Sequence, residues 1–199
     1  MTYYRVAARG EPRWALPLFN LGTTLGELHR YQEGIEALQE AIRRKPTYAE
    51  AHNNLGNLYS DANRNEEAIS AYRHAISLKP DYAEAYYNLG VSFDLTRQHK
   101  EAVAAYSAAI SLKPSAPEIH GNLGLALGRL GYYKEAIASL KKAISLKPDL
   151  AMVHFNLALI YIDSGDRAGA IDEQKILVGL DREMAEKLNS LLERTKPQP

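Results

Sequence analysis

The chain has 199 residues, is 46% hydrophobic and carries no net charge at pH 7, which suits one domain or one short array of repeats. Its 24 basic residues are balanced by 24 acidic ones, which argues against nucleic acid as the main partner because phosphate binding needs a local excess of cations. The chain has no cysteine, which excludes disulfides but indicates nothing about the redox compartment. It has no run of 18 apolar residues for a membrane span and no apolar leader segment, so we expect a cytoplasmic protein unless a longer parent chain carries a signal or an anchor.

Three sequence marks recur along the chain every 34 residues. Asn-Leu-Gly starts at Asn20, Asn54, Asn88 and Asn122, and the variant Asn-Leu-Ala starts at Asn156. Leu-Lys-Pro starts at Leu78, Leu112 and Leu146, with Arg-Lys-Pro at Arg44. Glu-Ala-Ile or a close variant starts at Glu33, Glu67, Glu101 and Glu135. Three marks in one phase predict a tandem array of structural repeats.

Each repeat is predicted to be a pair of helices. Residues 49–82 contain two apolar stripes at helical spacing, Leu55, Leu58, Tyr59 and Ala62 followed by Ala68, Ile69, Tyr72, Ala75 and Ile76. Asn63 and Asn65 separate the two stripes. Pro80 ends the second helix, because a proline ring cannot sit inside the hydrogen-bonded ladder.

The phase of these marks divides the whole chain. In chain order the predicted segments are a half-repeat helix with its linker at 1–14, repeats at 15–48, 49–82, 83–116 and 117–150, a degenerate repeat at 151–184, a capping helix at 182–194 and a disordered tail at 195–199. The capping helix is predicted because Met184, Ala185, Leu188, Leu191 and Leu192 share one face.

The first residues fit the phase in part. Tyr4-Arg5-Val6-Ala7 aligns with Tyr72-Arg73-His74-Ala75, and Pro12 aligns with Pro46. Residues 1–11 therefore resemble the second helix of a repeat without its first helix, although an alanine-rich stretch can match at two positions by chance. If the match is meaningful, the array either continues in a longer protein or is completed by another copy, which would give a homo-oligomer.

These residues resemble the tetratricopeptide-repeat family over about residues 12–184. The matching features are the period, the Leu-Gly pair, the closing proline and the aromatics Tyr59, Phe93, Tyr161, Tyr72 and Tyr106. The departures are Gly34 in place of alanine, Ala158 in place of glycine and Arg182 in place of proline. The resemblance implies an all-α fold, a right-handed α-solenoid of helix-turn-helix hairpins, and a non-catalytic scaffold that binds a protein or peptide.

In this family the first helix of each hairpin lines a concave groove. Carried over by repeat position, the groove set is Asn20, Asn54, Asn88, Asn122, Asn156, Phe19, Asn53, Tyr87, Phe155, Asn57, Glu50, Glu84, Glu118, Asp61, Asp94 and Arg129. The asparagine column resembles the asparagine ladder in the superhelical arm of O-linked N-acetylglucosamine transferases, and an amide can pair with both peptide N–H and C=O groups. The alternative is that this asparagine is ordinary family consensus. Because acidic residues outnumber Arg129, we expect the groove to prefer neutral or basic extended segments.

No enzyme activity, cofactor or metal site is predicted. His52, His120 and His154 share one repeat position, but equivalent residues of packed helices lie about 8–10 Å apart, too far to share one ion with bonds of about 2 Å. The sequence has no phosphate-binding glycine loop, and it lacks the cations with which some family members hold chaperone carboxylates. Two alternatives remain: the substrate-recruiting arm of a larger enzyme such as a glycosyltransferase, and a self-assembling structural protein. The sequence does not choose between a bound strand and a bound helix.

Overall fold

The computed structural model describes residues 14–195. Residues 1–13 and 196–199 lie outside that range, as do the half-repeat predicted for 1–11 and most of the predicted tail. Within it the chain folds only into helices, α1 to α11 in order: Ala15–Glu27, Tyr31–Arg44, Ala49–Asp61, Asn65–Leu78, Ala83–Leu95, His99–Leu112, Pro117–Arg129, Tyr133–Leu146, Ala151–Asp163, Arg167–Leu180 and Arg182–Arg194. The predicted all-α fold class is confirmed. None of the described helices is long and apolar enough to cross a bilayer.

The chain divides into two compact units, an N-terminal unit of residues 1–98 and a C-terminal unit of residues 99–199. In the N-terminal unit α1 packs against α2, and α3 packs against α4. The second helix of each hairpin also packs against the first helix of the next, as α2 does on α3 and α4 on α5. In the C-terminal unit the same order holds from α6 to α10, and α11 packs on α9 and α10.

A left-handed residue ends the short turn inside each hairpin. Among the described residues, those with positive φ are His29, Asn63, Arg97, Gly131 and Gly165, which stand 34 residues apart. Glycine adopts this conformation without steric cost and asparagine tolerates it, whereas histidine and arginine are strained by it. The 34-residue period therefore extends to the backbone conformation of the turns, including those where the sequence offers no glycine.

Small residues let the two helices of a hairpin approach closely. A Cβ atom added to Gly56 would lie 2.5 Å from Cε1 of Tyr72, and one added to Gly124 would lie 2.6 Å from Cγ of Leu140. The last hairpin has Ala158 at the same repeat position, and the residue that corresponds to Tyr72 and Leu140 there is Gln174. Ala158 is completely buried, so the departure from glycine is accommodated in the core.

The ends of the helices explain the departure at Arg182. Earlier second helices end at a lysine that precedes proline, and the Lys79 N–H still donates to the carbonyl of Ala75 at 2.9 Å. After α10 the lysine is replaced by Asp181, whose Oδ1 accepts from the backbone N–H of Met184 at 3.0 Å and so caps α11. Helix α11 buries Ala185, Leu188 and Leu192 and leaves its charged residues exposed.

Candidate functional site

In the N-terminal unit the predicted asparagines lie on the first helices α1, α3 and α5, which touch one another in sequence order. We call the side of these helices that carries Asn20, Asn54 and Asn88 the amide face. Asn54 Nδ2 donates to Oγ1 of Thr23 at 3.0 Å, which joins α3 to α1. Asn88 Nδ2 donates to Oδ1 of Asn57 at 3.0 Å, which joins α5 to α3. The two amides therefore make equivalent contacts, each directed toward the preceding first helix.

Second contacts fix the direction of these hydrogen bonds. The Thr23 hydroxyl donates to the carbonyl of Phe19 at 3.0 Å, so its oxygen is available to accept from Asn54. Asn57 Oδ1 accepts from the Tyr72 hydroxyl at 2.8 Å as well as from Asn88. Both arrangements turn the amide nitrogen inward. Among the residues that the structure describes, the side-chain oxygens of Asn54 and Asn88 accept no hydrogen bond, and both side chains are half-buried.

Two of the predicted groove residues lie in the interior of the protein. Asn53 is completely buried, and its Nδ2 donates to Oε1 of Glu84 at 3.0 Å, so its role is to hold that carboxylate. Phe155 is only 8% exposed and belongs to the core of the C-terminal unit, with the ammonium of Lys187 5.7 Å from its ring centre. Phe19 is half-buried, and its ring lies 5.0 Å from that of Tyr48.

The other predicted residues remain at or near the surface. Asn20, Asp61, Glu84, Glu118 and Arg129 are exposed. Those that are half-buried are Glu50, Asn57, Tyr87, Asp94, Asn122 and Asn156. Asn122 and Asn156 lie on α7 and α9, which touch within the C-terminal unit, so each unit carries its own part of the asparagine column.

Acidic residues lie on the amide face. Its predicted residues include Glu50, Asp61, Glu84 and Asp94 and no lysine or arginine. Burial, together with the nearby carboxylates of Glu84 and Glu50, raises the pKa of Tyr82 to about 12. Lys79 lies beside this group, with its ammonium 3.6 Å from Oε1 of Glu50 and 4.7 Å from the ring centre of Tyr82. Position-by-position transfer from the family missed Tyr82 and Lys79, because both belong to the loop that joins two hairpins.

The three histidines at one repeat position have a structural role. Nε2 of His52, His120 and His154 lies 3.1, 2.9 and 2.9 Å from the carbonyl oxygens of Pro46, Pro114 and Pro148 respectively. Each histidine thus ties the start of a first helix to the proline that closes the preceding hairpin. In residues 14–195 no three His, Cys, Asp or Glu side chains are placed to hold a metal ion.

Comparison with known proteins gives one family and a set of similar folds. The model of the TPR repeat matches residues 22–61, 56–93, 98–131 and 129–165. A crystal structure of MamA is 25% identical, with a TM-score of 0.77 over 83% of this chain and 96% of that one. YrrB, described as a TPR protein with an unusual peptide-binding site, is 20% identical, with a TM-score of 0.78 over 88% of this chain and 92% of that one.

MamA from Desulfovibrio magneticus RS-1, from residue 41 to its end, is 20% identical, with a TM-score of 0.81. That comparison covers 87% of this chain and 97% of the other. At this level of identity the likeness to YrrB and to this MamA concerns the fold. No curated protein matches the sequence.

Proposed function

Because the chain belongs to the tetratricopeptide-repeat family, we propose that it is a non-catalytic scaffold whose amide face binds an extended, neutral or basic segment of a partner protein. The repeats and the repeat-protein neighbours support the general role of a protein-interaction scaffold. The peptide-binding site named for YrrB is consistent with the narrower proposal, which is a claim about the particular residues of this chain.

Asn54 and Asn88 support this function most directly. Their amide nitrogens are engaged with Thr23 and Asn57, which leaves their oxygens as hydrogen-bond acceptors for a ligand. An extended peptide offers backbone N–H groups at regular intervals whatever its side chains are. The amide oxygens of the column would accept hydrogen bonds from the backbone N–H groups of the peptide. Such contacts would hold the peptide without selecting its sequence.

The carboxylates of the amide face would add a preference for charge. Glu84 is exposed and held in place by the buried Asn53, so its position is defined before a ligand arrives. Asp61 is exposed on the neighbouring helix. Charges at the edge of a binding surface mainly alter the association rate and its dependence on salt. Basic peptides should therefore bind faster than neutral ones at low ionic strength, and acidic peptides should bind poorly.

The test compares acidic, neutral and basic peptides of equal length by fluorescence anisotropy at two salt concentrations. The variant Asp61→Asn/Glu84→Gln should weaken binding of basic peptides by about threefold to tenfold and leave neutral peptides nearly unchanged. The matched control is Glu66→Gln/Glu183→Gln, which removes two exposed carboxylates from α4 and α11 and should have no effect. Equal or tighter binding of acidic peptides by the wild-type chain would contradict the proposal.

A further inference from the structure

Helix α1 is apolar on more sides than its described neighbours cover. From Ala15 to Gly26 it contains no charged residue, a composition typical of a helix that is buried all round. One side packs on α2 and buries Leu18, Gly22 and Leu25. On the other side Leu16 is 56% exposed, and around it Pro17 and Leu21 are half-exposed and Thr24 is exposed.

Three of these four repeat positions are covered in the later hairpins, whereas the equivalents of Leu16 stay half-buried or exposed. The equivalents of Pro17 are Ala51, Ala85, Ile119 and Val153, which are all buried. Buried equivalents of Leu21 are Leu55, Leu89 and Leu157, and those of Thr24 are Leu58, Ser92, Ala126 and Ile160. Only Leu123, an equivalent of Leu21, is half-buried instead. The surface of α1 formed by Pro17, Leu21 and Thr24 is thus exposed or half-exposed, whereas the equivalent surface is buried in nearly every later repeat.

A second helix packs against this surface in each later hairpin. Helix α2 packs on α3, α4 on α5, α6 on α7 and α8 on α9. Within the described residues α1 has no such helix before it, and a depression of about 350 Å³ lined by Pro17, Asn20, Leu21 and Thr24 marks the place. The occupant that fits must carry the apolar stripe of a second helix.

We propose that residues 1–11 of the same chain cover this face of α1. They lie outside the described residues, and it is their sequence that selects them. Tyr4 and Ala7 align with Tyr72 and Ala75, which are buried at 2% and 0% exposure. The segment is joined to α1 by a few residues, and so short a tether gives an effective concentration of about millimolar, which favours it over a second copy in dilute solution.

The register also supplies a matched control. Thr2 and Val6 align with Ser70 and His74, which are both exposed on the outer side of α4. The variant Tyr4→Asp/Ala7→Asp therefore places two charges on the side predicted to face α1. The variant Thr2→Asp/Val6→Asp places the same two charges in the same segment on the side predicted to face solvent.

Hydrogen exchange of the full chain tests the proposal. In Tyr4→Asp/Ala7→Asp the amides of α1 should exchange about tenfold faster or more than in the wild type, while those of α8–α11 keep their rates. In Thr2→Asp/Val6→Asp all helices should behave as in the wild type. Unchanged exchange in α8–α11 also shows that the variant remains folded.

Sedimentation of the same samples distinguishes the other occupants. We expect the wild type to be monomeric, and dimers that form only after Tyr4→Asp/Ala7→Asp would also support the proposal, since they would show that the segment had covered the face. If the wild type is a dimer that this variant dissociates, the occupant is a second copy and the proposal is wrong. If α1 exchanges equally fast in the wild type and both variants, residues 1–11 do not cover it, and the proposal is likewise wrong.

Discussion

Replacing Glu173 by glutamine should destabilise the last hairpin. His154 on α9 and Glu173 on α10 are both buried, with Nδ1 of the histidine 2.6 Å from Oε2 of the glutamate. The other ring nitrogen, Nε2, lies 2.9 Å from the carbonyl oxygen of Pro148. Each nitrogen of the buried ring therefore has a polar partner, the Glu173 carboxyl group on one side and a backbone carbonyl on the other.

The expected loss in the free energy of unfolding follows from the change in the hydrogen bond between residues 154 and 173. In Glu173→Gln a neutral amide takes the place of the carboxyl group, and its hydrogen bond to Nδ1 of His154 is the weaker one. A hydrogen bond to a charged group contributes about 1.5–3 kcal/mol to stability, and one between neutral groups about 0.5–1.5 kcal/mol. We therefore expect a loss of about 1 kcal/mol in the free energy of unfolding.

The assay is urea unfolding combined with hydrogen exchange, which locates the loss in α9 and α10. The control Glu183→Gln removes an exposed carboxylate from α11 and should change the free energy by less than about 0.5 kcal/mol. The double variant His154→Leu/Glu173→Leu should recover most of the loss, because replacing both partners of a buried hydrogen bond by apolar groups of similar shape can be nearly neutral. A Glu173→Gln protein as stable as Glu183→Gln would refute this description of the pair.

Two further predictions concern the backbone of the hairpins. Gly56→Ala should destabilise by about 1–3 kcal/mol because its methyl group meets the ring of Tyr72. Gly179→Ala, in α10, should stabilise by about 0.5–1 kcal/mol, because a Cβ added there would meet nothing within 4 Å beyond its own helix. Thermal unfolding compares the two variants, and equal shifts would exclude the steric explanation. Arg97→Gly should stabilise by up to about 1 kcal/mol by relieving its left-handed conformation, with Asn63→Gly near zero; a larger gain for Asn63→Gly in urea unfolding would contradict the strain argument.

The sequence predicts the fold class because the first four hairpins repeat the same local signals and the last one keeps part of them. One 34-residue phase fits three signals: proline after the second helix, small residues where helices cross and an apolar stripe on each helix. Because these independent signals place the helices at the same residues, together they predict the fold well. The left-handed turn residues at His29 and Arg97 could be located only through that phase, since neither residue type indicates such a turn by itself.

The candidate site is less predictable from the sequence. Asn53 and Asn54 are neighbours in the chain, yet one is buried and the other half-buried, because adjacent residues of a helix point about 100° apart. The family position of an asparagine predicts that it belongs to the asparagine column, but it does not predict which atom of its amide group forms a hydrogen bond within the protein. That depends on distances between helices, such as the contact of Asn88 with Asn57, which the sequence does not contain.

The most direct test of the scaffold proposal is peptide binding by Asn54→Ala/Asn88→Ala. The control is Asn189→Ala, which removes an exposed amide from α11. Each lost hydrogen bond is worth about 0.5–1.5 kcal/mol, so the double variant should bind neutral and basic extended peptides about tenfold to a hundredfold more weakly. Wild type and control should bind alike. If the double variant remains folded and binds as tightly as the wild type, the amide face is not the binding surface.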